Sequence, residues 1–398
     1  MILDETQLSA VAHACDSRFS IITGGAGTGK TTIIKEIADQ LQAAGRTVYL
    51  CAFAGKAAAR LKEATKREAS TIHRMLGFMG TRFTVDSLKG KCVIVDESSM
   101  VDSELMAEII KREPDKLVLV GDEAQLPPVG KGQPFHDLIS LRPDLVCSLK
   151  RCYRNSEAVF RAAMAIRNGE PVLTAEDSEN EKWRIVHTGD DQATHRSILE
   201  QVRRGFFDFE TDAILCPKNG DDETVATVDA LNKDIAAIVH PRGPDETFVI
   251  GDRVMNTKNL AEKDIWNGTT GKVIAVNVDG GVHIDLDEPV IDWMHSTGED
   301  IVYKSQVNLS KTEAKHLKLA YAITVHKAQG SQYRRVAFVC LTRDAHALLT
   351  RSLIYTAVTR TKEQCYVIGD RRAFIKGCET ITNKTTVLQQ LAATEKQP

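Results

Sequence analysis

The sequence predicts an α/β fold organised around parallel sheets, and three observations carry that expectation. From the N-terminus to Asp122, short apolar runs alternate with segments whose apolar residues recur three and four apart, the pattern of strands exchanging with amphipathic helices. A glycine-rich stretch, GGAGTGKTT (Gly24 to Thr32), stands where one such strand passes into a helix. Past Leu149 the α/β texture resumes, broken only between Gly251 and Leu317, where apolar residues alternate with polar ones.

SIIT (Ser20 to Thr23) is the first strand and stops at the glycines. Ile33, Ile34, Ile37 and Leu41 then share one helical face, and Gly45 stands where a helix stop belongs. TVYLCAF (Thr47 to Phe53) is the next strand, followed by a helix from Lys56 to Ala64. CVIVDE (Cys92 to Glu97), a helix from Ser103 to Arg112 and KLVLVGD (Lys116 to Asp122) continue the alternation. A polar insert, GFMGTRFTVDSLKGK (Gly77 to Lys91), interrupts it and reads as a small hairpin. Later strands are expected at Ala213 to Cys216, Val336 to Leu341 and Gln364 to Ile368. DRVMNT, GKVIAVNV, VHIDLD and IVYKSQVNL, parted by turns at Asn267-Gly268 and Asp279-Gly280-Gly281, read as a small β-barrel-like insert. The expected domains are 1–148, then 149–250 joined with 318–398, with 251–317 inserted into the second.

A chain of 398 residues with 42% apolar and 26% charged residues is an ordinary globular composition, long enough for two or three cores. No apolar run approaches the roughly 20 residues that span a bilayer, and MILDETQLSA lacks a signal-peptide layout, so a cytosolic protein is expected. The nine cysteines stand singly, most inside apolar runs, which points to buried free thiols ahead of zinc ligands or disulfides. A net charge of −3 excludes a globally basic, DNA-coating protein. Any nucleic-acid channel is therefore local, built from clusters such as Lys56, Arg60 and Lys62, Lys66 and Arg67, or Lys315, His316 and Lys318. Each cluster alone also reads as a solvated helix face.

Gly24, Gly29, Lys30 and Thr31 fit the pattern GxxxxGK[ST], in which a glycine-rich turn aims backbone N–H groups at phosphate oxygens where a helix begins. The residues expected on the nucleotide are Gly25, Ala26, Gly27, Thr28, Gly29, Lys30, Thr31 and Thr32. Lys30 is expected to neutralise the β- and γ-phosphates, and Thr31 to place its hydroxyl on Mg²⁺. Asp96, at the end of VIVDES, is expected to hold the same ion from a neighbouring strand. Glu97 is then the natural base for the attacking water. The bland alternative is a glycine-rich turn with a surface lysine; the flanking strand and helix and the paired carboxylates weigh against it. ATP and Mg²⁺ are the cofactors this implies.

Further segments narrow the class. In order they are LDETQLSAV around Gln7, AFAGKAAARL (Ala52 to Leu61), ASTIHRML (Ala69 to Leu76), VIVDESSM and LVLVGDEAQLPPVG (Leu117 to Gly130). LKRCYR (Leu149 to Arg154), YAITVHKAQGSQY (Tyr321 to Tyr333) and YTAVTRTK (Tyr355 to Lys362) follow. This succession, covering Gln7 to about Asp370, resembles the superfamily 1 helicases, specifically the 5′-to-3′ subclass of the RecD-like and phage Dda types. The resemblance implies two RecA-like motor domains with ATP in their interface, single-stranded DNA across both, and an SH3-like barrel at 251–317. It implies that Gln7 reads the adenine edge, that Gln125 bonds the γ-phosphate or the attacking water, and that Arg154 and Arg360 contact the phosphates. Gln329 and Gly330 complete the implied nucleotide site. At LKRCYR the family commonly continues with glutamine where Asn155 stands here, and Arg151 is a rival to Arg154.

For DNA the resemblance points to Phe53, Lys56, Thr71, His73, Thr324, His326 and Lys327, whose hydroxyls, imidazoles and loop amides suit phosphate and sugar contacts. The alternative for the two histidines is a core position bonded to backbone. The 77–91 insert lies where relatives carry a strand-separating hairpin, with Phe78 or Phe83 as the tip residue, though it is short for that job. The function expected is an ATP- and Mg²⁺-dependent motor on single-stranded DNA and single-strand/duplex junctions, unwinding 5′ to 3′ as a monomer, with no membrane partner. Its polarity comes from the resemblance alone. The alternatives are a DNA-stimulated ATPase that translocates or remodels protein partners without strand separation, and an RNA helicase, against which the lack of a cysteine-rich zinc module weighs. No carboxylate cluster beyond Asp96 and Glu97 supports a nuclease. RecD-type enzymes often carry a further N-terminal region; with the phosphate loop beginning at Gly24, a compact stand-alone motor is expected.

Overall fold

In the computed structural model, the described residues are 3–151, 153, 157–170, 182–220, 225–244, 246–292, 295, 302–344, 348–381, 386 and 389. Two units emerge: Met1–Asn168 with Thr350–Thr359 and Ile381–Pro398, and Gly169–Leu349 with Arg360–Thr380.

The alternation of the N-terminal segment becomes a parallel sheet in the first unit. Its strands are β1 (Phe19–Gly24), β2 (Thr47–Ala52), β3 (Ala69–Thr71), β4 (Lys91–Asp96), β5 (Lys116–Gly121) and β6 (Val146–Leu149). They pair in the order β3-β2-β4-β5-β1-β6, each pair parallel. The helices are α1 (Glu5–Asp16), α2 (Lys30–Ala43), α3 (Gly55–Thr65), α4 (Ile72–Met75), α5 (Ser103–Ile110), α6 (Pro134–Leu141) and α7 (Glu157–Asn168). A parallel sheet must be covered on both faces, and alternate residues supply the two cores. Ile22, Ile94, Val118 and Val120 pack with Ala10, Ile33, Ile34 and Ile37, whereas Ile21, Val93, Val95 and Leu119 pack with Leu105, Ile109 and Phe135.

The first unit runs past residue 148, the boundary expected from sequence. β6 pairs with β1, and α7 packs against the helix Arg351–Thr359, which draws both segments into the first unit. The 77–91 insert forms a minimal hairpin. Phe78 bridges Phe83 in antiparallel fashion, Met79 N–H donates to Arg82 O at 2.8 Å and Thr84 N–H to Gly77 O at 3.0 Å.

The second unit holds, in chain order, β7 (Trp183–His187), β8 (Ala213–Cys216), β9 (Arg253–Asn256), β10 (Thr270–Val276), β11 (Val282–Ile291), β12 (Tyr303–Leu309), β13 (Leu317–Leu319), β14 (Ala322–Thr324), β15 (Tyr333–Cys340) and β16 (Thr361–Gly369). One sheet is parallel, β14-β8-β15-β16-β7; the other is antiparallel, β12-β11-β10-β9-β13. The antiparallel sheet has its own core of Val254, Val273, Ile284, Val307 and Leu309. Its pairing reaches Leu319, two residues beyond the expected end at 317, because β13 bonds β9. Buried Asp252 anchors its entry: it accepts from Arg242 Nη2 at 2.7 Å and from Tyr321 Oη, at the exit, also at 2.7 Å.

Eight of the cysteines are described, all free and six of them buried. No helix among the described residues is long and apolar enough to cross a membrane.

Candidate active site

Because the six strands of the first sheet run parallel, the segments after β1, β4 and β5 share one edge, the carboxyl end where α/β sheets bind ligands. After β1 the chain turns through Gly27 and Gly29 at φ +79° and +84°, conformations that favour glycine. A Cβ on Gly29 would also stand 2.5 Å from Gln7 Nε2. Thr28 Oγ1 donates to Gly25 O at 2.9 Å, and Lys30 Nζ donates to Gly24 O at 2.7 Å and Gly25 O at 3.0 Å. Ala26 is half-buried in the same turn, and Thr31 and Thr32 lie half-buried in the first turn of α2.

Asp96 ends β4, and Glu97 follows in the left-handed region at φ 51°. The Asp96 carboxylate accepts the Glu97 N–H at 2.8 Å. Burial, and then the Glu97 charge, push its pKa up to about 6 against the opposing pull of the Glu97 N–H and then of Lys30. Glu97 Oε2 is buried and has no hydrogen-bond partner among the described residues, so it is an unused acceptor at this edge.

The turn after β5 is tied to Asp122, which is fully buried. Its carboxylate accepts from Ala124 N–H at 3.1 Å, Gln125 Nε2 at 3.4 Å, Arg167 Nη1 at 3.1 Å and Tyr355 Oη at 2.9 Å. Glu123 accepts from Thr23 Oγ1 and from Arg167 Nη2.

Gln7 is buried and caps α1: its N–H donates to Asp4 Oδ1 at 2.8 Å, its Oε1 accepts the Asp4 N–H at 3.1 Å, and its Nε2 donates to Thr28 O at 3.2 Å. Each end of the amide keeps one further hydrogen-bonding position, enough for the donor-acceptor pair of an adenine edge. Tyr153 also belongs here: its N–H donates to Gly27 O at 2.9 Å, and its hydroxyl donates to Asp4, which lowers that carboxyl to a pKa of about 2. The Arg151 guanidinium lies 5.4 Å from the centre of the Tyr153 ring. Arg154 lies outside the described residues. Sequence reasoning missed Tyr153, Arg167 and Tyr355; the only signal for Tyr153 was its place between two arginines of LKRCYR.

In the second unit, Arg360 is buried, with Nη1 3.4 Å from Ser331 O as donor. Gly330 has φ +77°, and buried Gln329 has no partner for Nε2 among the described residues. Thr324 Oγ1 accepts from Lys327 N–H at 3.3 Å; His326 is exposed, so it is not a core histidine.

Phe53 and Lys56 follow β2, and Thr71 caps α4 by accepting the Arg74 N–H at 3.2 Å. The His73 ring lies 6.3 Å from Phe53, 5.3 Å from Phe78 and 6.2 Å from Phe83, and burial holds its pKa below the ordinary value. Phe78 therefore does not stand at the hairpin tip, and neither does Phe83. They pair at its base, 5.0 Å apart and packed on His73, because the Phe78–Phe83 bridge turns both rings inward. The exposed apolar residue of the tip is Met79.

Residues 2–191 match the family described as AAA domain, and residues 319–368 the UvrD-like helicase C-terminal domain. The ATP-dependent RecD2 DNA helicase of Deinococcus radiodurans is 32% identical over 385 residues, covering 94% of this chain. The chain spans 50% of that relative's length. The RecBCD enzyme subunit RecD of Mycolicibacterium smegmatis is 31% identical over 423 residues, covering 92% of this chain and 71% of the relative. Among solved structures, the Pif1 helicase from Bacteroides in complex with ADP-AlF3 and ssDNA has a TM-score of 0.54 at 18% identity, covering 100% of this chain and 98% of its own. A second, of DNA unwinding at forked dsDNA by two coordinating Pif1 helicases, has a TM-score of 0.53 at 20% identity over the same shares. At such identity these two establish a common two-domain α/β fold.

Proposed function

The chain belongs to the RecD-type superfamily 1 helicases, and from that membership we propose that it is an ATP-dependent 5′-to-3′ DNA helicase that translocates on single-stranded DNA. One observation carries the reading. The carboxyl edge of a single parallel sheet bears the phosphate loop, the acidic pair and Gln125 on β1, β4 and β5, and an aromatic corner of Phe53 and His73 beside β2 and β3. A rigid sheet with fuel chemistry on one part of its edge and a stacking surface on the other is suited to coupling them.

In this reading the loop amides of Gly25 to Thr32 and Lys30 bind the triphosphate of ATP. Thr31 and Asp96 would hold Mg²⁺; two hard oxygen donors, one of them carboxylate, fit that ion, which supplies charge neutralisation on the phosphates when bound. Glu97 Oε2, whose acceptor capacity is unused, takes the proton of the attacking water. Gln125, and Arg360 with Arg154, act on the γ-phosphate, and arginines so used are worth about 10³ to 10⁵ in rate. Gln7 reads the adenine, and Gln329 and Gly330 complete the nucleotide site. Phe53, Lys56, Thr71, His73, Phe78, Thr324, His326 and Lys327 track the strand. Stacking of a base on an aromatic ring recovers about 1 to 3 kcal/mol, against roughly 1.4 kcal/mol for a duplex step. The two α/β units serve as motor domains, the antiparallel sheet as an SH3-like module, and the monomer as the working form.

Strand displacement on duplexes tailed at the 5′ or the 3′ end tests this. The expected result is ATP-dependent release from the 5′-tailed substrate, absent in Lys30→Ala. ATP hydrolysis on DNA without release from either substrate would make the protein a translocating or remodelling ATPase instead.

A further inference from the structure

Asp122 is a meeting point of elements far apart in sequence. Arg167 comes to it from the end of α7, and Tyr355 from the helix Arg351–Thr359, 233 residues away. Arg167 forks, with Nη1 on Asp122 and Nη2 on Glu123, and Glu123 in turn accepts from Thr23 in β1. A second bond fastens the same helix to this turn, Leu126 N–H donating to Thr356 Oγ1 at 2.9 Å. Both side chains also stand against the phosphate loop: a Cβ on Gly25 would lie 3.1 Å from Tyr355 Oη and 3.5 Å from Arg167 Nη1.

We infer that Arg167 and Tyr355 are positioning residues for ATP hydrolysis, holding the Asp122–Gln125 turn in register with the phosphate loop and with the helix that leads directly into Arg360. The inference rests on the ATPase reading above and adds two residues to it. Asp122 and Glu123 place two carboxylates beside a site for a polyanion, and a guanidinium that bridges both neutralises them and fixes their orientation. A lysine at position 167 brings one point charge and cannot fork in this way. Gln125 is bonded to the same Asp122 carboxylate that Tyr355 and Arg167 hold, so displacement of that carboxylate displaces the amide. Neither positioning side chain needs to touch the reacting atoms.

Steady-state ATPase assays on the full chain with an oligo-dT strand, resolving kcat from KM for ATP, test the pair. Arg167→Lys, which keeps the charge, is expected to lower kcat about tenfold with KM changed by less than about threefold. Tyr355→Phe, which removes one hydroxyl, is expected to lower kcat about threefold, and the double variant to fall little below Arg167→Lys alone, since both residues act through Asp122. Wild-type kcat in Tyr355→Phe, full rescue by lysine at 167, a change confined to KM, or losses that multiply independently would each overturn the inference. Lys30→Ala separates the two readings. If it is inactive while Arg167→Lys and Tyr355→Phe turn over normally, only the positioning role falls; if it hydrolyses ATP like the unaltered chain, the ATPase reading falls and this one with it.

Discussion

Asp96 illustrates how a functional residue burdens the fold that carries it. Burial, and then the Glu97 charge, push its carboxyl up from the ordinary value to about 6, so within that window the folded chain holds a proton that the unfolded chain has released. The sign follows: stability declines as pH rises through that window and levels off above it. Asp96→Asn is therefore expected to raise the urea midpoint of the nucleotide-free protein at pH 7.5 but hardly at pH 4, while abolishing turnover. An equal gain at both pH values would show that the carboxylate carries no such burden. At the next residue, Glu97→Gln removes the acceptor without changing the shape. Turnover is expected to fall about 10² to 10⁴-fold with ATP binding retained, measured by single-turnover hydrolysis beside equilibrium binding.

Two elements lean on a few named contacts. The antiparallel sheet of the second unit is closed at its base by Asp252, which joins Arg242 before the sheet to Tyr321 after it. Removing the carboxylate leaves the half-buried Arg242 guanidinium and the buried Tyr321 hydroxyl without their acceptor, so Asp252→Ala is expected to cost about 2 to 4 kcal/mol, and Tyr321→Phe about 1 kcal/mol, in urea unfolding. The 77–84 hairpin has far less to hold it. One bridge and the aromatic packing on His73 are its main supports, and Gly77 at φ +67° would drive a Cβ into Thr84. Gly77→Ala is expected to speed amide exchange at Met79 and Thr84 while leaving the β1 and β4 amides protected, since a side chain in the left-handed region costs about 1 to 2 kcal/mol. The insert was legible as a small hairpin from the polar break it makes in the strand and helix alternation. The direction of its phenylalanines was not, because a single bridge carries too little alternation to assign a face.

Across the whole molecule, a net charge of −3 means that affinity for a strand comes from a few local contacts. Lys56→Ala is expected to weaken binding evenly across sequences and to reduce the slope of log K against log salt by about 0.7, read by fluorescence anisotropy at several salt concentrations. An unchanged slope would remove Lys56 from the strand. The alternation of β1, α2, β2, α3, β4, α5 and β5, the glycine turn and the Asp96–Glu97 pair were legible in the sequence alone, whereas the short β3 was not. They follow from apolar spacing and from backbone conformations set within a few neighbouring residues. The later strands β8, β15 and β16 were legible for the same reason. Tertiary structure alone decided that β6 and α7 belong with the first sheet, that Tyr153 meets the phosphate loop, and that Arg167 and Tyr355 converge on Asp122. Those contacts join segments up to 233 residues apart. Only the pairing of parallel strands, which brings their carboxyl ends to one edge, and the burial of a shared carboxylate select such partners from the many arginines and tyrosines of the chain.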